Sequence, residues 1–282
     1  MATISDVRPS PIAGRWYSGN RDVLAREVDE YIESAKIPDL NGEVIGIIAP
    51  HAGYIYSGPT AGYAFRSVRG LQRDLVVIVS PFHHLHRAPF LTTAHSAYAT
   101  PLGAIAVDVQ AQHSLNQYLS QEVGCELTPI SHDQEHSLEI ELPFLQRALQ
   151  EGFRLLPIMA RTHSPEALRA LGKGIAHVAA SGKTLLVAST DLSHQYPENI
   201  AQALDAEMLR RIERFDPQQV LEAESSGRGF ACGVAAVAAV LWAARDMGAD
   251  RVSILHHSTS ARETGDYSNV VGYGAAAILK TR

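Results

Sequence analysis

Short runs of apolar residues alternate along the chain with longer segments in which apolar residues recur at helical spacing. Continuous apolar runs of this length suit strands that are buried on both faces of a sheet. We predict strands at residues 43–49, 74–80, 154–160, 184–190, 252–255 and 270–278, with a short added hairpin at residues 104–107. We predict helices at residues 22–34, 57–68, 137–150, 165–180, 201–215 and 232–247.

Two prolines modify these elements. Pro143 falls inside the predicted helix at residues 137–150, where we expect a kink. Pro157 falls inside the predicted strand at residues 154–160, and it indicates an edge strand or a bulge because proline cannot donate to a ladder.

Strands that alternate with helices in this way are typical of right-handed crossovers and a sheet covered on both faces. The 282 residues contain no internal repeat and no linker-like segment. We therefore predict a single α/β domain over residues 1–282, with a mostly parallel central sheet and helices on both faces.

Composition and charge exclude several classes of protein. The formal net charge is −6 with acidic and basic residues interspersed, so the basic stripe of a nucleic-acid-binding protein is missing. No apolar run approaches the roughly 20 residues that span a bilayer, so we expect no membrane partner. Cys125 and Cys232 are the only cysteines, which argues against a disulfide scaffold and favours a cytoplasmic protein.

Histidines follow three of the predicted strands near their carboxyl ends. His51 follows the first strand, His83 and His84 follow the second, and Asp191 and His194 follow the strand at residues 184–190. Ligands of open α/β sheets bind outside the carboxyl ends of the strands, and neighbouring strands lie about 4.8 Å apart. We predict that these histidines converge on one site that binds a metal ion, although each one alone could simply cap a loop carbonyl.

Adjacent side chains point in different directions, so we expect only one of His83 and His84 to be a metal ligand. We favour His84 and assign His83 to a supporting or substrate contact, although periodicity does not choose between them. Cys232 opens the last long helix, where the backbone dipoles favour the thiolate that binds metals. The alternative is a small buried core cysteine, which is also our interpretation of Cys125.

A second cluster lies at residues 132–136, where the sequence HDQEH matches the H-x-x-E-H signature of zinc hydrolases. Ser131 has the character of a helix N-cap, which would put His132 at the mouth of the helix and weakens that match. Glu135 is a capping residue or a general base beside the histidine site. We place the following residues in the wall of the substrate pocket, although some of them could be turn or rim residues: Tyr54, Glu135, His136, Asp266 and Tyr267.

Six motifs resemble the MEMO family, whose bacterial and archaeal members are also called AmmeMemoRadiSam system protein B. They occur in the order of the family and extend over most of the chain. The motifs are APHAGYIYSG (49–58), SPFHH (80–84), EHSLEIELPFL (135–145), STDLSH (189–194), FACG (230–233) and GDYSNVVGYGA (265–275).

The resemblance implies a fold related to the class III extradiol, or LigB-like, dioxygenases, which hold Fe(II) with two histidines and a carboxylate. By motif, His51 and His84 would be the histidine ligands, and His194 with its neighbour Asp191 would handle protons. Cys232 stands where those enzymes have the carboxylate. A thiolate is softer than a carboxylate, so the resemblance implies Fe(II) first, with copper or zinc as alternatives.

Three functions follow as hypotheses. The first is a redox metalloenzyme of dioxygenase ancestry that acts on a small-molecule or peptide ligand. The second is a zinc hydrolase in which His194 or Glu135 is the base. The third is a binding module without turnover. The family name also suggests a functional link to a radical-SAM protein, and the sequence specifies no oligomeric state.

Overall fold

The computed structural model describes residues 6–180 and 182–281, so the remaining positions of the predicted domain lie outside it. The strands are β1 (Val7–Arg8), β2 (Glu43–Ala49), β3 (Leu75–Pro81), β4 (Phe90–Thr93), β5 (Ala97–Thr100), β6 (Gly103–Ala106), β7 (Leu127–Ile130), β8 (Arg154–Ala160), β9 (Thr184–Ser189), β10 (His194–Tyr196), β11 (Arg251–Thr259) and β12 (Val270–Lys280). The helices are α1 (Arg21–Ser34), α2 (Tyr54–Arg66), α3 (Val109–Val123), α4 (Glu141–Ala148), α5 (Pro165–Ala179), α6 (Glu198–Glu213), α7 (Pro217–Ser225), α8 (Val234–Asp246) and α9 (Ala261–Thr264).

The central sheet has nine strands within the described residues, in the order β10-β12-β2-β9-β3-β8-β4-β7, and β11 pairs with β12. The four strands β2, β9, β3 and β8 are parallel to one another. The flanks are antiparallel, because β12 runs against β2 and β4 runs against β8. The predicted α/β class is confirmed: the four central strands are parallel to one another, and β4 and β7 form a second parallel pair.

Alternating side chains of the central strands fill two separate cores. Val77 and Val79 of β3 join the core formed with α3, α5, α7 and α8. Val76 and Ile78 of the same strand join the core formed with α1, α2 and α4. Successive side chains of a strand point to opposite faces, which is why a continuous apolar run produces a strand that is buried on both. Helices therefore cover both faces, as predicted.

The prediction that Pro157 marks an edge strand or a bulge was wrong, because β8 lies inside the sheet between β3 and β4. Pro157 stands in register with Ile78 of β3. The ladder with β4 includes only Met159 and Ala160, so a residue without an N–H breaks no ladder bond on that side. The carbonyl of Pro157 also accepts a hydrogen bond from the Thr92 hydroxyl at 2.7 Å.

The helix predicted from residue 137 begins later, at Glu141. Pro143 therefore lies in the first turn, where a missing N–H removes no intrahelical hydrogen bond, rather than at a kink in the middle. Ser131 lies well before α4 and is not its N-cap; Ile140 occupies that position. Residues 131–140 instead form a loop with turns that returns to the end of the central sheet.

The predicted hairpin is confirmed as β5 and β6, which pair antiparallel from Ala97–Ala106 to Thr100–Gly103. Strand β1 adds to β5 in parallel and completes a small three-stranded sheet beside the central one. No helix in the described ranges is both long enough and apolar enough to cross a bilayer.

Candidate metal centre

Three histidines meet at the carboxyl ends of the central strands. His51 follows β2, His83 follows β3, and His136 comes from the loop before α4. One ring nitrogen from each lies within 4.8 Å of those of the other two, which is an arrangement that could hold a metal ion. The ring centroids are 5.4 Å apart for His51 and His83, 5.6 Å for His51 and His136, and 4.7 Å for His83 and His136.

Each of the three rings has a polar partner at its Nδ1 atom. His51 Nδ1 lies 2.9 Å from the Ser189 hydroxyl, and His83 Nδ1 lies 2.9 Å from Glu135 Oε1. His136 Nδ1 lies 3.4 Å from the same carboxylate oxygen. Metal-binding histidines usually have their other ring nitrogen held in this way, which fixes the ring and leaves Nε2 for the ion.

Glu135 orients two of these rings from a buried position. Its carboxylate accepts hydrogen bonds from the backbone N–H of His83 at 2.6 Å, of His136 at 3.0 Å and of Ser137 at 2.9 Å. Burial alone would raise the pKa of Glu135, but the hydrogen bond and charge of His83 and these backbone donors hold it well below its usual value. A carboxylate so fully used as an acceptor suits ligand positioning better than proton transfer from a substrate.

Cys232 lies against the centre, in the residues just before α8. Its Sγ atom is 3.2 Å from His51 Nε2 and accepts the backbone N–H of Asp191 at 3.3 Å. Burial and the charge of Asp191 raise the pKa of the thiol far above its usual value. The expected effect of the helix dipole is therefore outweighed by desolvation, and a nearby cation is needed for the thiolate form.

His194 and Asp191 lie beside the three histidines. The Nδ1 atom of His194 donates to the Leu192 carbonyl at 2.9 Å, so Nε2 is the ring nitrogen available to a ligand. Burial lowers the pKa of His194, which favours the neutral ring. Asp191 accepts the His51 backbone N–H at 2.8 Å, and burial raises the pKa of its carboxyl to about 7.

A cavity of about 680 Å³ opens over this centre. This volume lies within the range of about 300–1,000 Å³ that is common for small-molecule sites. Its wall is formed by His51, His83, His136, Asp191 and His194 together with Arg15, Trp16, Ala52, Gly53, Ile55, Tyr56, Ser260, Thr264, Val271 and Tyr273. The mixture of aromatic and apolar walls with a few titratable groups at the base is typical of a ligand-binding cavity.

The structure does not bring every predicted residue to the centre. His84 is exposed and packs against Phe82 at a ring distance of 5.4 Å, and His83 takes the place that the sequence analysis gave to His84. Tyr54 is buried and donates to the Ile140 carbonyl at 2.8 Å, away from the cavity wall.

Asp266 and Tyr267 lie in an exposed turn outside the cavity wall, where Asp266 accepts the Ser268 N–H at 2.8 Å. In contrast, His136 lines the cavity as the sequence analysis placed it, and it is also a candidate ligand. Glu135 lies outside the cavity wall, where its carboxylate contacts the Nδ1 atoms of His83 and His136.

Sequence reasoning missed the side chains behind and above the ligands. Trp16 packs on His136 with ring centroids 4.1 Å apart, and no strand-end rule points to the N-terminal segment that carries it. Ser189 could have been found from sheet register, since it is the last residue of β9 and pairs with Ala49, two residues before His51. Tyr273 faces the cavity from β12, where the alternation of the strand is its only signal.

Comparison with known proteins agrees with the motifs. The family model described as Memo-like protein matches residues 8–277. A MEMO1 family protein of Nitrosopumilus maritimus is 33% identical over 280 residues, which are 97% of this chain and 100% of that protein. MEMO1 family proteins of Methanosarcina barkeri and Methanopyrus kandleri are each 32% identical, over 96% and 97% of this chain and 100% and 99% of their own lengths. The chain belongs to the MEMO family.

Proposed function

We propose that this protein is a metal-dependent oxidoreductase that holds Fe(II), or alternatively copper, with His51, His83 and His136. The observation that carries the proposal is the convergence of three imidazole nitrogens within 4.8 Å at the base of a cavity. Imidazole ligands suit iron, copper and zinc, and the adjacent sulfur of Cys232 adds a soft donor that favours a redox-active ion over magnesium or calcium. When bound, such an ion supplies electron transfer at the floor of the cavity.

The residues around the centre supply binding and proton handling. His194 presents its Nε2 atom to the cavity and is held neutral by burial, so it can accept a proton from a bound ligand. Asp191 can hold or release a proton near neutral pH, since its pKa is about 7. Trp16, Tyr56 and Tyr273 form aromatic walls that suit a small molecule or a peptide side chain with an apolar body.

Zinc-assisted hydrolysis is the second candidate, and the three-histidine set itself favours it. Catalytic zinc sites use three protein ligands and keep a water molecule in the open position. His194 or Asp191 would then be the base that activates this water. Activity that persists with zinc under anaerobic conditions would support this alternative, whereas dependence on iron or copper and on an added oxidant supports the redox function.

The adjacent pair His83 and His84 provides a matched test of the site. Wild type, His83→Ala and His84→Ala are purified anaerobically, and bound metals are measured by elemental mass spectrometry. We expect wild type and His84→Ala to retain iron or copper in proportion to protein, and His83→Ala to lose it. Equally low metal content in wild type and His83→Ala, or an equal loss of metal in the two variants, would refute the proposed centre.

A functional link to a radical-SAM protein stays a prediction that co-purification can test.

A further inference from the structure

Behind His51, on the side away from the cavity, three polar groups surround one hydroxyl. The Ser189 Oγ atom lies 2.9 Å from His51 Nδ1, 2.7 Å from the Ser137 carbonyl oxygen and 2.5 Å from Glu141 Oε1. Ser189 and Glu141 are buried, with 0% and 1% of their surface exposed. Glu141 Oε2 has no hydrogen-bond partner in the described part of the chain.

Each of the three short contacts needs one hydrogen atom between its two heavy atoms. The Ser189 hydroxyl has a single hydrogen and two lone pairs, so it can donate once and accept twice. The Ser137 carbonyl has no hydrogen to give and must receive the one from Ser189. His51 Nδ1 must therefore donate to Ser189, and the third hydrogen can come only from the carboxyl group of Glu141.

The surroundings of Glu141 agree with this count. An ionised carboxylate would leave Oε2 charged, buried and unpartnered, which is among the most unfavourable arrangements in a protein interior. Burial and the negative charge of nearby Asp191 raise the pKa of Glu141 well above its usual value. The position of Glu141 as first residue of α4 favours the anion only weakly by comparison.

We propose that Glu141 is a neutral carboxylic acid that donates to Ser189 and thereby fixes His51 as the tautomer with hydrogen on Nδ1. Glu141 and Ser189 are then positioning residues: they aim the Nε2 lone pair of His51 at the metal centre. The role of these two residues in orienting a metal ligand rests on the proposed function, but the positions of the hydrogen atoms can be tested on protein without metal.

The first test reads the carboxylic acid directly. Infrared spectra of metal-free wild type and Glu141→Gln are compared at about pH 9, roughly two units above the pKa values of Asp191 and Glu224, which are raised to about 7, so that these groups have lost nearly all of their protons. We expect a carbonyl band of a protonated carboxyl group that shifts in D₂O and is missing in Glu141→Gln. A wild-type spectrum without this band, or a band that survives the substitution, would overturn the proposal.

The second test uses rescue by the conservative variant. A glutamine amide can donate to Ser189 as a neutral carboxyl does, so Glu141→Gln should keep the Nδ1-protonated tautomer of His51 in ¹⁵N NMR spectra and nearly normal affinity for Fe(II). Ser189→Ala removes the acceptor and should lower that affinity by about 10–100-fold. Loss of the tautomer and of affinity in Glu141→Gln to the same extent as in Ser189→Ala would overturn the proposal. If wild type binds no metal, the proposed function fails, while the infrared band and the tautomer still decide this inference.

Discussion

Replacement of Arg8 by methionine should destabilise the protein more than any surface charge substitution, because Arg8 is a buried cation with three acidic or carbonyl partners. Only 2% of its surface is exposed. Its guanidinium donates to Asp133 at 3.0 and 2.7 Å, to Glu139 Oε2 at 2.6 Å and to the Glu135 carbonyl at 2.8 Å. Methionine keeps most of the apolar stem but leaves both carboxylates without a counterion.

The expected loss follows from the burial of this network. Removal of one partner from a buried ion pair typically costs about 3–5 kcal/mol, since the other charge stays desolvated. Burial already raises the pKa of Glu139, so this group can take up a proton in Arg8→Met, which places the loss near the lower end of that range. Arg210→Met is the matched control, because its side chain is 41% exposed and its pair with Glu207 should contribute only about 0–1 kcal/mol.

The assay is equilibrium urea unfolding of wild type and the two variants, with the midpoint and slope measured separately. A loss of unfolding free energy in Arg8→Met that is no larger than that in Arg210→Met would refute the assignment of Arg8 as a structural cation.

The pH dependence of stability gives a second check. Loss of Arg8 raises the folded-state pKa of Glu139 further, and a raised folded pKa adds stability at low pH that is lost as pH rises. The deficit of Arg8→Met should therefore shrink as pH falls toward 4.5, the ordinary pKa of glutamate.

Two further substitutions test packing around the site. A Cβ atom at Gly272 would overlap Oδ2 of the fully buried Asp205, so Gly272→Ala should lower the free energy of unfolding by about 1–3 kcal/mol. An unchanged urea midpoint would contradict this close approach. Trp16 contacts His136, so titration with copper or iron should quench the fluorescence of Trp16. Trp16→Phe should remove most of this quenching, because the remaining emission comes from Trp242 of α8. Equal quenching in wild type and Trp16→Phe would place the ion elsewhere.

The apolar pattern predicted the four parallel central strands well, because strands that are buried on both faces appear as short continuous apolar runs. The strands at residues 43–49 and 154–160 have the bounds that the pattern indicates. Pro157 and Pro143 were misinterpreted for one reason: the effect of a proline depends on whether its missing N–H had a partner. That depends on the reach of β4 along β8 and on the start of α4, which are tertiary features.

The sequence predicted those residues of the candidate site whose positions are determined by the ends of the central strands. His51 and His194 follow strands whose carboxyl ends lie at the same edge of the sheet, so topology alone brings them together. The choice between His83 and His84 depends on the direction of the chain after β3, which the hydrogen bonds of His83 to Glu135 determine. His136 could not be placed by the strand-end rule, because the apolar pattern predicts no strand directly before the loop that carries it.

Arg8 holds that loop in place through its hydrogen bonds, so its loss should also weaken metal binding. Asp133, Glu135 and His136 belong to the loop that Arg8 binds from the N-terminal segment, so Arg8→Met should loosen one candidate ligand and the support of another. A ligand stabilises the folded state by an amount that grows with the ratio of its concentration to its dissociation constant. At equal Fe(II) concentration, the metal-induced rise in the urea midpoint should therefore be smaller in Arg8→Met than in wild type, and unchanged in Arg210→Met. An equal rise in all three proteins would show that the loop carrying His136 is held in place without Arg8.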